Sequence, residues 1–187
     1  LGTVLDSLSN ARLSIFRKSG IIYHEVIHMV RVLIVVDMQN DFIDGPLGSP
    51  EAKNILPDVC ARLHQARAQG ERIFLTLDTH GPDYLDTQEG RLLPAPHCIR
   101  DTPGWKLNAQ VEEAAGPQAQ LVEKGSFGSP KLARILAALC QDKGLDEGKG
   151  MEIELCGVCT DICVVSNALL IKAALPEAHL SLNGQLC

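Results

Sequence analysis

The chain has 187 residues, 45% of them hydrophobic and 21% charged, with a formal net charge of −6. That length fits one domain with a proper core, and that composition excludes wholesale disorder. The basic residues are scattered along the sequence, which excludes a nucleic-acid surface, and no apolar run reaches the roughly eighteen residues of a membrane-crossing helix.

The first 28 residues stand apart. Their apolar stretch, Ile21 to Val30, is interrupted by His24, Glu25 and His28, and no small-residue cleavage pattern follows, which argues against a secretory signal. Met29 reads as the natural start, with residues 1–28 a leader or poorly ordered extension. A short amphipathic helix packed on the domain is the plainer alternative. Residues 29–187 read as the domain itself.

Arg31 to Asp37 (RVLIVVD) is a continuous run rich in β-branched residues, the pattern of a strand buried on both faces. Glu51 to Gln69 carries helical spacing at Ala52, Ile55, Leu56, Val59, Leu63 and Ala66. Ser49 is placed to cap that helix and Gly70 to end it, while Pro57 is expected to kink or restart it. Arg72 to Asp78 (RIFLTLD) is a second buried strand. Gly81 to Gly104 reads as a long loop with four prolines, a length more often functional than merely connecting. Leu121 to Lys124 is a third strand, and Ser129 with Pro130 opens a helix over Lys131 to Cys140. Glu152 to Val158 is a fourth strand, Thr160 caps a helix running to about Ala174, and His179 to Leu182 is a fifth strand.

Strands alternating with helices predict an α/β fold: a three-layer, doubly wound, mainly parallel sheet with helices on both faces. Such sheets bind ligands beyond the carboxyl ends of their strands. Asp37, Asp78 and Lys124 end the first three strands, and Cys163 lies just past the fourth. Four reactive side chains therefore fall on the one edge where chemistry is expected.

Seven cysteines occur, at positions 60, 98, 140, 156, 159, 163 and 187. An odd number without a secretion signal indicates reduced, cytoplasmic thiols and not a disulfide framework. Cys163 falls three residues after Thr160, in the first turn of a helix, where free amides and the helix dipole favour a thiolate and could hold an oxyanion. An inert buried cysteine is the ordinary alternative. A redox or zinc pair at Cys156 and Cys159 is a third, although a second such pair is missing.

Three blocks, Asp37-Met-Gln-Asn-Asp-Phe42, Glu123-Lys-Gly-Ser-Phe127 and Gly157-Val-Cys-Thr-Asp-Ile-Cys163, together resemble the signature blocks of the nicotinamidase and isochorismatase-like cysteine hydrolases. The resemblance runs from about residue 31 to the end and implies that Asp37 is the general base, Lys124 assists and Cys163 attacks. It also implies a cis peptide at Val158–Cys159 and an oxyanion hole of the Cys159 and Cys163 amides. The trio suits amide hydrolysis: sulfur attacks, ammonia leaves after protonation, and water cleaves the thioester.

Asp78-Thr-His80 places two ligands on one side of a strand end, and His97 adds a nitrogen donor from the long loop. Mixed histidine and carboxylate ligation suits one divalent ion, zinc first, with manganese or iron also fitting. Family members that cleave nicotinamide have such a site, often with a further histidine that this chain lacks. Thr87-Gln-Glu-Gly90 is similar to the subgroup in which a glutamate fills that place, which selects Glu89 over Asp83 and Asp86. Phe42 and Trp105 are candidates to stack on an aromatic substrate, against ordinary packing. The resemblance thus implies a small-molecule amide substrate, hydrolysis of nicotinamide to nicotinate and ammonia in NAD salvage, and a C-terminus shorter than the family's. Alternatives are an amidase for a carbamoyl or ureido compound and an inactive family member serving as a binding module. Oligomeric state is left open, a homo-oligomer included.

Overall fold

The computed structural model describes residues 11–18 and 21–187, with side chains from Met29 onward. Strands β1 (Ala11–Lys18) and β2 (Ile21–His28) pair antiparallel as a separate two-stranded sheet, in place of the alternative amphipathic helix; the rest of the 1–28 extension lies outside the described residues.

The main sheet has five strands: β3 (Val30–Val36), β4 (Arg72–Asp78), β5 (Gln120–Lys124), β6 (Met151–Gly157) and β7 (His179–Leu182). All are parallel, in the order β5-β4-β3-β6-β7. The chain builds outward from β3 through β4 to β5, then crosses to the other side of β3 for β6 and β7. That reversal makes the gap beyond β3 and β6 the topological switch point.

Alternation along the strands feeds two cores. Leu33, Val35, Ile73, Leu75 and Leu77 face α2 (Pro50–Ala68) and α4 (Ala109–Ala115), while Val32, Ile34, Phe74, Ile153 and Leu155 face α5 (Pro130–Asp142) and α6 (Val165–Ala174). The remaining helices are short: α1 (Asn40–Ile43) and α3 (Gln88–Leu92), the latter preceded by a 3₁₀ turn at Tyr84–Asp86. The long Gly81 to Gly104 loop therefore has helical structure of its own.

Two of the expected N-terminal caps are present. The Ser49 and Ser129 hydroxyls accept the amides of Ala52 and Leu132, both at 3.1 Å, with a proline at the first helical position in each case. Pro57 does not break α2. Its ring is on the exposed side, and burial of Ala52, Leu56, Val59, Leu63 and Ala66 holds the turns on both sides of it. Thr160 does not cap a helix. Thr160–Val164 is instead a π turn whose Ile162 and Val164 amides both bond the Cys159 carbonyl, and α6 begins after it. No helix among the described residues is long and apolar enough to cross a membrane.

Candidate active site

β3 ends at Val36, and Asp37 turns the chain out of the strand with a left-handed φ of +52°. That conformation costs a non-glycine residue about 1–3 kcal/mol and needs local support. Thr76, inside β4, supplies it: its hydroxyl accepts the Asp37 amide at 3.2 Å and donates to Asp37 Oδ1 at 2.6 Å. The other carboxylate oxygen lies 2.7 Å from Lys124 Nζ. Register places Lys124 beside Asp78, whose Oδ1 is 3.2 Å from the same ammonium, and Cys163 Sγ is 3.6 Å away. One buried lysine therefore touches two carboxylates and a thiol, and three of the four sequence-selected strand-end residues meet at it.

Burial raises the Asp37 carboxyl above its ordinary value, with Lys124 opposing and Asp78 adding. Burial works against the Lys124 ammonium, but the charges of Asp37 and Asp78 outweigh it and hold its pKa up. Burial pushes the Cys163 thiol well up, Asp37 adds to that, and Lys124 opposes. This corrects the expectation of a resting thiolate: Cys163 is only 6% exposed, and desolvation of the sulfur outweighs the nearby cation. Burial and the Asp37 charge together favour the neutral thiol, beside the carboxylate that could take its proton.

The peptide Val158–Cys159 is cis, as the resemblance implied. β3 and β6 approach closely just before it. Gly157 has φ +110°, and a Cβ there would lie 2.2 Å from the Val36 carbonyl oxygen. Asn167, fully buried in α6, ties the π turn down. Its Nδ2 donates to the Cys163 carbonyl at 2.8 Å and its Oδ1 accepts the Ser129 amide at 3.0 Å.

Asp78 uses its second oxygen differently. Oδ2 lies 2.8 Å from His80 Nε2 and 3.3 Å from His97 Nε2, and Glu89 Oε1 is 3.7 and 3.8 Å from those two nitrogens. A tetrahedral ion with bonds of about 2.0–2.2 Å places its ligand atoms about 3.3–3.6 Å apart. Asp78, His80 and His97 each bring one ligand atom within 4.8 Å of the others, and Glu89, in the first turn of α3, turns Oε1 toward both histidines. His97 Nδ1 is 2.9 Å from the Ala95 carbonyl, which takes its N–H and leaves Nε2 free to ligate. The donor set fits a divalent ion. Burial works against the charge on Asp78, but the bonds from His80 and His97, with Lys124, hold its carboxyl well below the usual range.

Both aromatic candidates border this cluster. Trp105 is half-buried, with Nε1 donating to Thr79 Oγ1 at 2.9 Å and the Arg100 guanidinium 5.8 Å from its ring. Phe42 is a core residue that meets His97 edge-on at 5.6 Å, so it supports the histidine from behind. Tyr84, which sequence reasoning missed, packs edge-on against both His80 and His97 at 4.8 and 5.1 Å. Asp41 Oδ2 accepts the Cys98 amide at 2.7 Å and so secures the segment bearing His97. A cavity of about 1070 Å³ opens elsewhere, beside His64, Arg67 and Arg72, and shares no residue with the cluster.

Residues 31–173 match the sequence profile of the Isochorismatase domain family. The chain belongs to that family. Among relatives of this isochorismatase-family chain, a streptothricin hydrolase of Streptomyces noursei is 31% identical over 156 residues, covering 82% of this chain and 52% of that protein. The chain thus spans about half the length of that relative. A nicotinamidase of Saccharomyces cerevisiae is 26% identical over 175 residues, covering 75% and 80% of the two chains. Of solved structures, N-carbamoylsarcosine amidase of Thermoplasma acidophilum superposes with a TM-score of 0.68 at 24% identity, covering 84% and 83%. The pyrazinamidase of Pyrococcus horikoshii in complex with zinc gives 0.60 at 25% identity, covering 83% and 88%. These neighbours share the three-layer parallel fold.

Proposed function

We propose that this isochorismatase-family chain is an amidohydrolase that converts nicotinamide to nicotinate and ammonia through a thioester on Cys163, a reaction of NAD salvage. The observation that supports it best is the contact of the Lys124 ammonium with Asp37, Asp78 and Cys163 together. Lys124 keeps Asp37 ionised in a site whose burial favours the neutral acid, so the carboxylate is a base with a raised pKa beside a thiol.

Asp37 takes the Cys163 proton as the sulfur attacks the amide carbon. The amides of Cys159 and Cys163 receive the charge that develops on the carbonyl oxygen. Asp37 returns the proton to the nitrogen, ammonia leaves, and a water deprotonated by Asp37 cleaves the thioester to release the acid and the thiol. A divalent ion, zinc or else manganese or iron, held by Asp78, His80, Glu89 and His97 would offer an open position to the lone pair of a ring nitrogen. Trp105 supplies a flat wall beside it.

A second reading, a streptothricin-type substrate, is favoured by the 31% identity to a streptothricin hydrolase. The depth of Cys163 and Lys124 favours a small planar amide. Ammonia release from nicotinamide, pyrazinamide and benzamide decides. The first two should be cleaved, and benzamide, which lacks the ring nitrogen, about a hundredfold more slowly or worse. Equal cleavage of benzamide removes the metal as a substrate anchor, and no release from any of the three refutes the nicotinamide reading and leaves the streptothricin-type one.

A further inference from the structure

Gln39 is completely buried between the two halves of the cluster, and each polar atom of its carboxamide is bonded. Oε1 accepts the Asp78 amide at 2.7 Å, while Nε2 donates to the Asp78 carbonyl at 2.9 Å and to the Trp105 carbonyl at 2.6 Å. One side chain thus grips the main chain of two separate elements, the end of β4 that carries Asp78 and the loop that carries Trp105. Its own amide bonds the Asp37 carbonyl at 2.7 Å, so the grip starts from the strand end bearing the proposed base. The same loop is held from its outer side by Asn40, whose Nδ2 donates to the Pro103 carbonyl at 2.8 Å.

We propose that Gln39 is a positioning residue that sets the spacing between the ligand Asp78 and the Trp105 wall, so that metal and substrate ring are received by one rigid frame. This rests on the roles given above to Asp78 and Trp105. A primary carboxamide is the side chain of this length that offers an acceptor oxygen and two N–H donors together. A carboxylate keeps the bond from the Asp78 amide but turns an oxygen toward two carbonyls. A thioether keeps none of the three. Groups that orient a metal ligand from behind typically contribute about 10–100-fold in metal affinity.

Trp105 is the one tryptophan of the chain, so its fluorescence reports the wall directly. Adding zinc to metal-free wild-type protein should protect Trp105 from iodide quenching. In Gln39→Met that protection should vanish, emission should shift to the red, and zinc affinity by chelator competition should fall about 10–100-fold. Gln39→Glu should release Trp105 equally yet keep more zinc affinity, because the bond from the Asp78 amide survives. Asn40→Ala cuts the outer anchor alone and should leave zinc affinity unchanged. With an amide substrate, the loss in Gln39→Met should fall on KM more than on kcat. The metal and fluorescence arms need no turnover, so they stand even if the amidase reading fails. Zinc that leaves wild-type Trp105 quenching unchanged overturns the proposal, as does a folded Gln39→Met with native zinc affinity. If that variant does not fold, the wild-type measurement decides.

Discussion

Replacing Lys124 by Met tests the centre of the cluster. The substitution keeps the length of the side chain and removes the ammonium that lies 2.7 Å from Asp37, while also releasing Asp78 at 3.2 Å. At an effective permittivity of about 20, the Coulomb relation gives about 6 kcal/mol for the first contact and about 5 kcal/mol for the second. Desolvation of the ammonium offsets several kcal/mol, so the expected net loss is about 3–5 kcal/mol, the usual cost of stripping one partner from a buried pair. With a total stability of about 5–15 kcal/mol, most of the protein should stay folded. The loss should also depend on pH in a fixed direction. Without the lysine, the Asp37 pKa rises further above its unfolded value, so the folded state binds more protons than the unfolded one and stability falls as pH rises. The deficit against wild type should be largest near pH 8 and shrink toward pH 5, where Asp37 takes up its proton at least cost. Urea denaturation of both proteins at the two pH values measures this. An equal deficit at both would mean that lost packing, and not an orphaned carboxylate, is what Met fails to replace.

Cys163→Ala should abolish thioester formation and turnover with an unchanged far-UV spectrum, whereas Cys159→Ala should keep measurable activity because its proposed contribution is an amide; equal loss in both would support a paired-cysteine role. Asp78→Ala, His80→Ala and His97→Ala should each lose a bound ion by metal counting, and Glu89→Ala should weaken binding. Full affinity in Glu89→Ala would assign the fourth position to water. The acidic limb of kcat/KM should lie above the ordinary carboxylate range, because activity is lost as pH falls through the raised pKa of Asp37; a limb near 4 would show that the base is elsewhere. Asn167→Leu should cost about 2–4 kcal/mol in thermal or urea unfolding, since it strands the Ser129 amide and the Cys163 carbonyl in the interior. A change below about 1 kcal/mol would show that the turn is held by other contacts.

The parallel sheet was legible because β3 and β4 are buried on both faces and their sequences admit no polar alternation. α4 was not: its seven residues bury only Val111, Ala114 and Ala115, too short a run to show a helical period. The meeting of Asp37, Asp78, Lys124 and Cys163 was legible from their places at or just past strand ends, whereas the nearness of Glu89 to the two histidines had only a family resemblance to suggest it. Gln39, Thr76 and Asn167 gave no signal of function. Each makes at least one bond to a group that lies 38 to 66 residues away, which no local pattern encodes. The burial of Cys163, which works against a thiolate, was missed for a related reason. A polar residue before an apolar run suggests a helix start in sequence, whereas the π turn that takes its place here and the depth at which it is buried leave no local sign.

The contact between β3 and β6 at Gly157 leaves no room for adjustment. The obstacle that any added carbon would strike is the Val36 carbonyl, which every residue type carries, so no second substitution at position 36 could make way for it. The reach from the Cys163 sulfur to the Asp37 carboxylate is therefore fixed by an absent methyl group. A change at Gly157 would pry the strand leading to Cys163 from the strand ending at Asp37, and the proposed reaction should fail although every side chain of the cluster is still present.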